Sequence, residues 1–329
     1  MAQSYSGNLH NYAPNLVAFE FGSPSTPKPH SLLFIGGLTN GLYSVPYVHE
    51  LAKALEPTEW SIFSLLLSSS YGGWGIGSLD RDVEEIGRCV EYVQNLKYKT
   101  TANGAPGKIV IMGHSTGSQD VLHYVHAQNP LPRNPDVDGV RGLTRPAVDG
   151  AIMQAPVSDR EALLQVGKDD PQARESYDKL VKIARDQPAR TILPLELTSL
   201  IGLDRVTPIS ARRFWSLASP DSPANPSEDD LFSSDSTEKR LDETFGQIAA
   251  RGLLRTTLVA LYSGSDEYVP EYVDKQALLA RWKRAANAGG EKKWDDEATG
   301  IIPGASHDVR DEGQAWLIEH VLNCLSRVA

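Results

Sequence analysis

The sequence predicts an α/β protein: a mostly parallel central sheet covered by helices on both faces and carrying a mainly helical insertion. Three observations predict it. Apolar runs of strand length alternate with amphipathic helical stretches in the first half of the chain and again at its end, the order that builds a parallel sheet with helices on both faces. The pentapeptide Gly113-His114-Ser115-Thr116-Gly117 follows the apolar run 109–112 and opens a helical stretch with Val121, Leu122 and Val125 on one face. Between 157 and 253 the alternation stops, and a segment of that length inside an α/β domain reads as an inserted cap rather than a loop.

Taken in order, 16–21 alternates weakly and reads as an edge strand. Residues 31–35 are a short apolar run that stops at Gly36-Gly37. Residues 44–55 have helical spacing, and 60–67 are a second buried strand. Residues 80–96 carry Val83, Ile86, Val90 and Val93 at spacings of three and four, an amphipathic helix. Residues 109–112 and 151–153 are further strand cores. Helical pieces follow at 159–166, 172–185, 208–217 and 238–251, interrupted by a polar, proline-rich stretch at 219–236. Strand 256–261, helix 271–286, a short strand ending at Ile302 and a last helix over 311–325 complete the pattern. Asp311 with Gln314 three residues on suits a capping box. The expected division is a core of 1–156 and 254–329 with a cap of 157–253.

The composition narrows the function classes. With 329 residues, 40% hydrophobic and 22% charged, the chain is an ordinary globular protein able to bury a large core. A net charge of −10 argues against a nucleic-acid partner, which needs a concentrated basic surface, and against adhesion to an anionic membrane. Two cysteines, Cys89 and Cys324, fall inside predicted helices, which suits a reducing compartment and no disulfide framework. The first residues are polar, and no apolar run approaches the roughly 20 residues that cross a bilayer. The expectation is a cytoplasmic protein with no membrane or nucleic-acid partner; the oligomeric state is left open.

A serine hydroxyl is a weak nucleophile at neutral pH and needs a base, which in turn needs an acid to fix its tautomer. A G-x-S-x-G turn between a strand and a helix holds such a serine clear of its backbone, with the partners following in the order acid, then histidine. Ser115 is therefore the candidate nucleophile. Asp266, after the 256–261 strand, is the candidate acid, and His307, after the last strand, the candidate base. Asp159 follows another strand and is a rival acid. The oxyanion needs two backbone donors. Thr116, next to the nucleophile, is one; Leu38, with Thr39 as second choice, is the other, in the loop Gly36-Gly37-Leu38-Thr39-Asn40-Gly41. Tyr71 and Trp74, in the glycine-rich run after 60–67, are candidates for lining a substrate pocket, with a packing role as the alternative.

Other residues receive plainer readings. His114 is the variable position of the elbow and reads as packing, and Asp308 as a turn or capping residue. His123 and His126 suggest a metal pair, but no carboxylate or thiol cluster joins them in the sequence, so no metal is expected. The run at 71–77 lacks the third glycine of a dinucleotide fingerprint, Asp80 standing at that position, and there is no P-loop, so no cofactor is expected either.

These motifs carry a resemblance. The elbow and its continuation Gly-His-Ser-Thr-Gly-Ser-Gln-Asp (113–120), the segment Phe34-Ile35-Gly36-Gly37-Leu38-Thr39, Ser68-Ser69-Ser70-Tyr71 with Gly73-Trp74-Gly75, and 78–86 resemble a fungal α/β-hydrolase family once described as a domain of unknown function, DUF1749. The likeness runs over nearly the whole chain. It implies the α/β-hydrolase fold with a helical cap, and Ser115, Asp266 and His307 as a triad. The best-characterised activity in that family is hydrolysis of the fungal siderophores fusarinine C and triacetylfusarinine C, cyclic triesters of hydroxamate units cut inside the cell to release iron. The resemblance therefore implies a siderophore esterase with a small-molecule ester substrate. The residues by themselves leave open a general carboxylesterase, lipase or thioesterase, and a non-catalytic binder on the same fold.

Overall fold

The computed structural model describes residues 4–22, 27–100, 107–137, 139–168, 170–310 and 312–329. The strands are β1 (Gly7–Ala13), β2 (Leu16–Phe21), β3 (His30–Ile35), β4 (Trp60–Leu66), β5 (Ile109–His114), β6 (Val148–Gln154), β7 (Leu254–Ser263) and β8 (Gly300–Ile302). The helices are α1 (Tyr47–Leu55), α2 (Leu79–Thr100), α3 (Thr116–His126), α4 (Asp159–Val166), α5 (Pro171–Asp186), α6 (Leu195–Leu200), α7 (Ala211–Ala218), α8 (Glu238–Glu243), α9 (Ile248–Arg251), α10 (Lys275–Ala286) and α11 (Gln314–Val328).

The eight strands form one sheet in the order β1-β2-β4-β3-β5-β6-β7-β8. The β1–β2 and β2–β4 pairs are antiparallel and all others parallel. The 16–21 strand is thus the second from the edge, a correction to the edge expectation. The edge is β1, which the sequence hides because only one of its residues is fully buried. Its chain turns back through Pro14-Asn15, with Asn15 in the left-handed region at φ 64°.

Period-two alternation divides the core. Leu33, Ile35, Ile109 and Ile111 face one side with Val83, Ile86 and Val90 of α2, Val121 of α3 and Trp282 of α10. Leu32, Phe34, Val110 and Met112 face the other with Leu51 of α1 and Leu317 and Val321 of α11. Strands buried on both faces read as continuous apolar runs, which is why they are visible in the sequence. Cys89 and Cys324 are both free and buried, in the clusters on opposite faces of the sheet.

The chain leaves the sheet after β6 and returns at β7, with α4 to α9 between them. A third apolar cluster lies here: Leu163 of α4, Leu180 of α5, Ile209 before α7, Phe214 of α7, and Trp74. The 219–236 stretch, which reads as polar, buries Leu231 and Phe232. Phe232, with Leu241, Phe245 and Ile248 after it, packs around Trp282 on the sheet's first face, not in the third cluster. The 238–251 helix is broken into α8, a 3-10 turn and α9. The last helix starts at Gln314 behind Gly313, which has φ 84°; Asp311, expected as its cap, lies outside the described residues. Among the described residues no helix is long and apolar enough to cross a membrane.

Candidate functional site

The parallel strands place their carboxyl ends together, and an open α/β sheet puts its site there. Ser115 follows β5, Asp266 follows β7 and His307 follows β8. The elbow is tight. Ser115 has φ 56° and ψ −125°, a strained geometry for a residue with a side chain. The glycines around it are steric necessities: a Cβ on Gly113 would stand 2.0 Å from the Gly117 carbonyl oxygen, and one on Gly117 2.5 Å from that of Ile35. The Ser115 N–H donates to the Gln154 carbonyl at 2.9 Å, which anchors the strained residue to β6.

The structure brings Ser115, His307 and Asp266 together. His307 Nε2 lies 2.8 Å from Ser115 Oγ, and His307 Nδ1 lies 2.8 Å from Asp266 Oδ2. Two loops hold this line. Ser265 N–H donates to Ala305 O at 2.8 Å, and His307 N–H donates to Glu267 Oε2 at 2.9 Å. Lys275 Nζ donates to the Ser263 and Gly264 carbonyls at 2.9 and 2.6 Å, bracing the acid loop from behind. Asp266 Oδ1 accepts from Tyr268 N–H at 3.1 Å, so both its oxygens are engaged. Burial pulls the His307 ring toward its neutral form. The hydrogen bond and charge of Asp266, with the charges of Asp308 and Glu267, outweigh burial and raise its pKa above 6.5.

The rival acid stands elsewhere. Asp159, at the start of α4, takes a hydrogen bond from Gln119 Nε2 at 2.5 Å. Burial, and then the charge of Asp229, push its carboxyl up to about 6.

The loop after β3 passes directly over the nucleophile: a Cβ on Gly37 would stand 2.6 Å from Ser115 Cβ. Asn40 Oδ1 accepts the Gly37 N–H at 2.9 Å, and Asn40 N–H donates to Gly37 O at 3.0 Å, a closed turn with Thr39 at φ 64° between them. Thr116 opens α3, so its N–H is one of the helix's first four, which have no intrahelical acceptor. Tyr71 lies across this loop: its OH accepts the Leu42 N–H at 3.1 Å, and its N–H donates to Asn40 O at 2.9 Å. It is half exposed. Trp74 is not at an open rim. It is 2% exposed, packed in the third apolar cluster, and its carbonyl accepts from Arg213 Nε at 3.1 Å.

Three residues near the site were not anticipated. Tyr268 sets its ring edge-on to His307, centroids 4.8 Å apart, and is 52% exposed. Glu267 holds the His307 backbone. Gln154 is the hub behind the elbow, and a signal for it existed: a lone amide closing the buried run Ala151-Ile152-Met153 has to find partners. The histidine pair also differs from expectation. His123 is joined by carboxylates, Asp80 Oδ1 at 2.8 Å and Glu228 beside it, from distant parts of the chain. Those groups already satisfy one another: Glu228 accepts from Asp80 N–H at 3.2 Å and from the Arg212 guanidinium at 2.7 Å. A hollow of about 720 Å³ near Lys28, Trp60 and Lys97 lies at the amino end of β4, away from Ser115.

Comparison with known proteins fits this architecture. The family model described as "Protein of unknown function (DUF1749)" matches residues 1–326. Fusarinine C esterase sidJ of Aspergillus fumigatus is 49% identical, over 97% of this chain and 95% of that protein. An esterase of Emericella nidulans is 47% identical, over 94% of this chain and 88% of its own. The solved structure of siderophore hydrolase EstB from Aspergillus fumigatus superposes with a TM-score of 0.87 at 48% identity, covering 99% of this chain and 98% of that one. A more distant structure, an α/β-hydrolase-fold protein of unknown function, is 14% identical with a TM-score of 0.58 and shares the fold alone. With the family model spanning almost every residue and relatives nearly half identical end to end, the chain belongs to the DUF1749 family and has the α/β-hydrolase fold.

Proposed function

We propose that this protein is a serine esterase that hydrolyses the ester bonds of hydroxamate siderophores of the fusarinine C type, with Ser115, His307 and Asp266 as its triad. The observation that carries the chemistry is the single imidazole bridging a strained, elbow-borne serine and a buried carboxylate at 2.8 Å on either side. The substrate class rests on the sidJ and EstB relatives. His307 takes the proton of Ser115 as Oγ attacks the ester carbonyl. The backbone N–H groups of Thr116 and Leu38 receive the oxyanion, with Thr39 beside them. Asp266 stabilises the imidazolium, which returns its proton to the leaving alcohol. Water, activated by the same ring, then frees the acyl-enzyme. Helices α4 to α7 act as a cap over the site, with Tyr71 at its rim. The enzyme works in the cytoplasm, where its two free thiols stay reduced and opened siderophores release their iron.

The test is mass spectrometry of the purified protein incubated with the cyclic trihydroxamate triester, with a short p-nitrophenyl ester assayed in parallel. Ring opening to the linear product is expected, at a higher kcat/KM than for the simple ester. A strong preference for the simple ester would overturn the siderophore assignment and leave a general carboxylesterase.

The same preparation yields a pH prediction. The base must be neutral to accept the serine proton, so kcat/KM falls as pH drops through the pKa of His307 in the free enzyme. That pKa is raised, so the midpoint of the acid limb should lie above 6.5. A midpoint near 5 would show that another group limits the rate.

A further inference from the structure

We propose that His114, clamped by Gln154 and Asp308, is a positioning residue that holds the His307 ring in line between Ser115 and Asp266. This rests on the esterase reading above and adds a second imidazole–carboxylate pair behind the first. His114 is the variable position of the elbow, yet it is 1% exposed and its ring centroid lies 5.0 Å from that of His307, tilted by 53°. A spacer would need no polar partners; this ring has them on both nitrogens. Nδ1 lies 2.5 Å from Gln154 Oε1, which also accepts the Tyr47 hydroxyl at 3.0 Å. Gln154 Nε2 points the other way, donating to Ser263 Oγ at 3.2 Å and to the His307 carbonyl at 3.5 Å. One side chain thus ties β5, β7 and the His307 loop together, and His114 is the part that touches the catalytic ring.

Asp308 completes the clamp. Its Oδ1 lies 3.5 Å from His114 Nε2, and its Oδ2 accepts from Arg310 at 2.6 Å. The carboxylate is therefore held between His114 and Arg310, close enough to the His307 ring to act on it through charge. Its contact with His114 holds it below the usual carboxylate range against its partial burial, with Arg310 helping, so it is charged throughout the working range. Burial lowers the pKa of His114, and its contact with Asp308 opposes that shift. The groups that face His307 are then Asp266 and Glu267 from the acid loop, the Tyr268 ring, Asp308 and His114, with Asp159 more remote across the site. Asp266 orients the ring through one nitrogen. A ring held at one point still swings, and a displacement of about 1 Å at a proton-transfer centre can cost on the order of a hundredfold in rate. His114 removes that freedom by packing, and Asp308 adds a fixed negative charge that favours the imidazolium formed in turnover.

The experiment uses the full chain, a p-nitrophenyl ester, and two variants read by kcat, KM, pH profile and melting temperature. Asp308→Asn should move the acid limb of kcat/KM down by about half a unit to one unit, because a charge that stabilises the imidazolium is lost, with KM within twofold. His114→Phe, which keeps a flat ring but no nitrogen, should lower kcat by about ten- to a hundredfold with KM within threefold. If His114→Phe fails to fold, Asp308→Asn decides alone, since that carboxylate is partly exposed and outside the core. An Asp308→Asn profile that superposes on the parent's, with unchanged kcat, overturns the inference, as does a folded, fully active His114→Phe. A parent that turns over no ester and takes no fluorophosphonate on Ser115 overturns the esterase reading and this inference with it. An active parent with an unmoved Asp308→Asn profile overturns this inference alone.

Discussion

Ser115→Ala should lower kcat on a susceptible ester by on the order of 10⁶ while leaving the folded protein intact. The two halves of that expectation have separate causes. Alanine keeps the Cβ, so the left-handed backbone at φ 56° and the close packing of Gly37 over it are unchanged. The Ser115 N–H still donates to Gln154 O, and its carbonyl still accepts from Ser118 N–H at 2.8 Å. Only the hydroxyl and its 2.8 Å hydrogen bond to His307 Nε2 are lost. What survives is the oxyanion site and substrate binding, which in triad hydrolases retain about 10³ to 10⁴ over the uncatalysed rate. The measurement is burst and steady-state kinetics with the melting temperature alongside. A variant that keeps its melting temperature and turns over within a hundredfold of the parent would remove Ser115 from the mechanism.

The core of this reading was visible in the sequence because it is local. The elbow needs glycine at two positions for steric reasons, and a strand, a turn and a helix are contiguous in the chain, so 109–126 announces itself. Strands β3 to β7 are buried on both faces and show as apolar runs. The remainder depends on contacts between distant residues. Strand β1 shows only one buried residue, and its pairing with β2 is what makes it a strand. The 219–236 stretch looks like a solvated loop because its polar groups are many, yet they are satisfied internally. Arg213 donates to both oxygens of Asp229 at 2.6 and 2.8 Å and to the Trp74 carbonyl, tying that stretch to α7 and to the turn before α2. An Asp and an Arg sixteen residues apart carry no periodic signal; only folding makes them a buried pair. The same holds for Asp308, whose neighbour in sequence is His307 but whose carboxylate serves His114, and for Asp80 and Glu228 beside His123. Trp74 takes the packing role for a related reason. A strand's carboxyl-end loop can face the site or turn under the cap, and the glycines of 72–77 let it turn under, where Gly75 comes so close to Pro208 that a Cβ would stand 2.2 Å from its carbonyl oxygen.

Two carboxyls compete for the role of orienting acid, and paired substitutions separate them. Asp266→Asn should lower kcat by about 10⁴, because an amide in that place presents a donor to His307 Nδ1 and favours the wrong tautomer, leaving Nε2 protonated against Ser115. Asp159→Asn should leave kcat within about tenfold, because its hydrogen bond runs to Gln119, a turn of helix beyond the nucleophile, and its influence on His307 is only through charge. The two should also part in stability. Asp159 has a folded-state pKa of about 6 against an ordinary value of 3.8, raised by burial and by Asp229. A raised carboxyl pKa means that the folded state binds the proton more tightly than the unfolded chain. Its ionisation therefore erodes stability as pH climbs from about 4 to about 6. Asparagine removes that loss, so Asp159→Asn should melt no lower than the parent at pH 7.5 and should show a flatter dependence of stability on pH across that window. Asp266→Asn instead alters the hydrogen bonds that the carboxylate makes with Tyr268 N–H and His307 Nδ1. If Asp159→Asn abolishes turnover while Asp266→Asn stays within tenfold, the acid follows β6 rather than β7, and His307 must turn away from its present partner in the working enzyme.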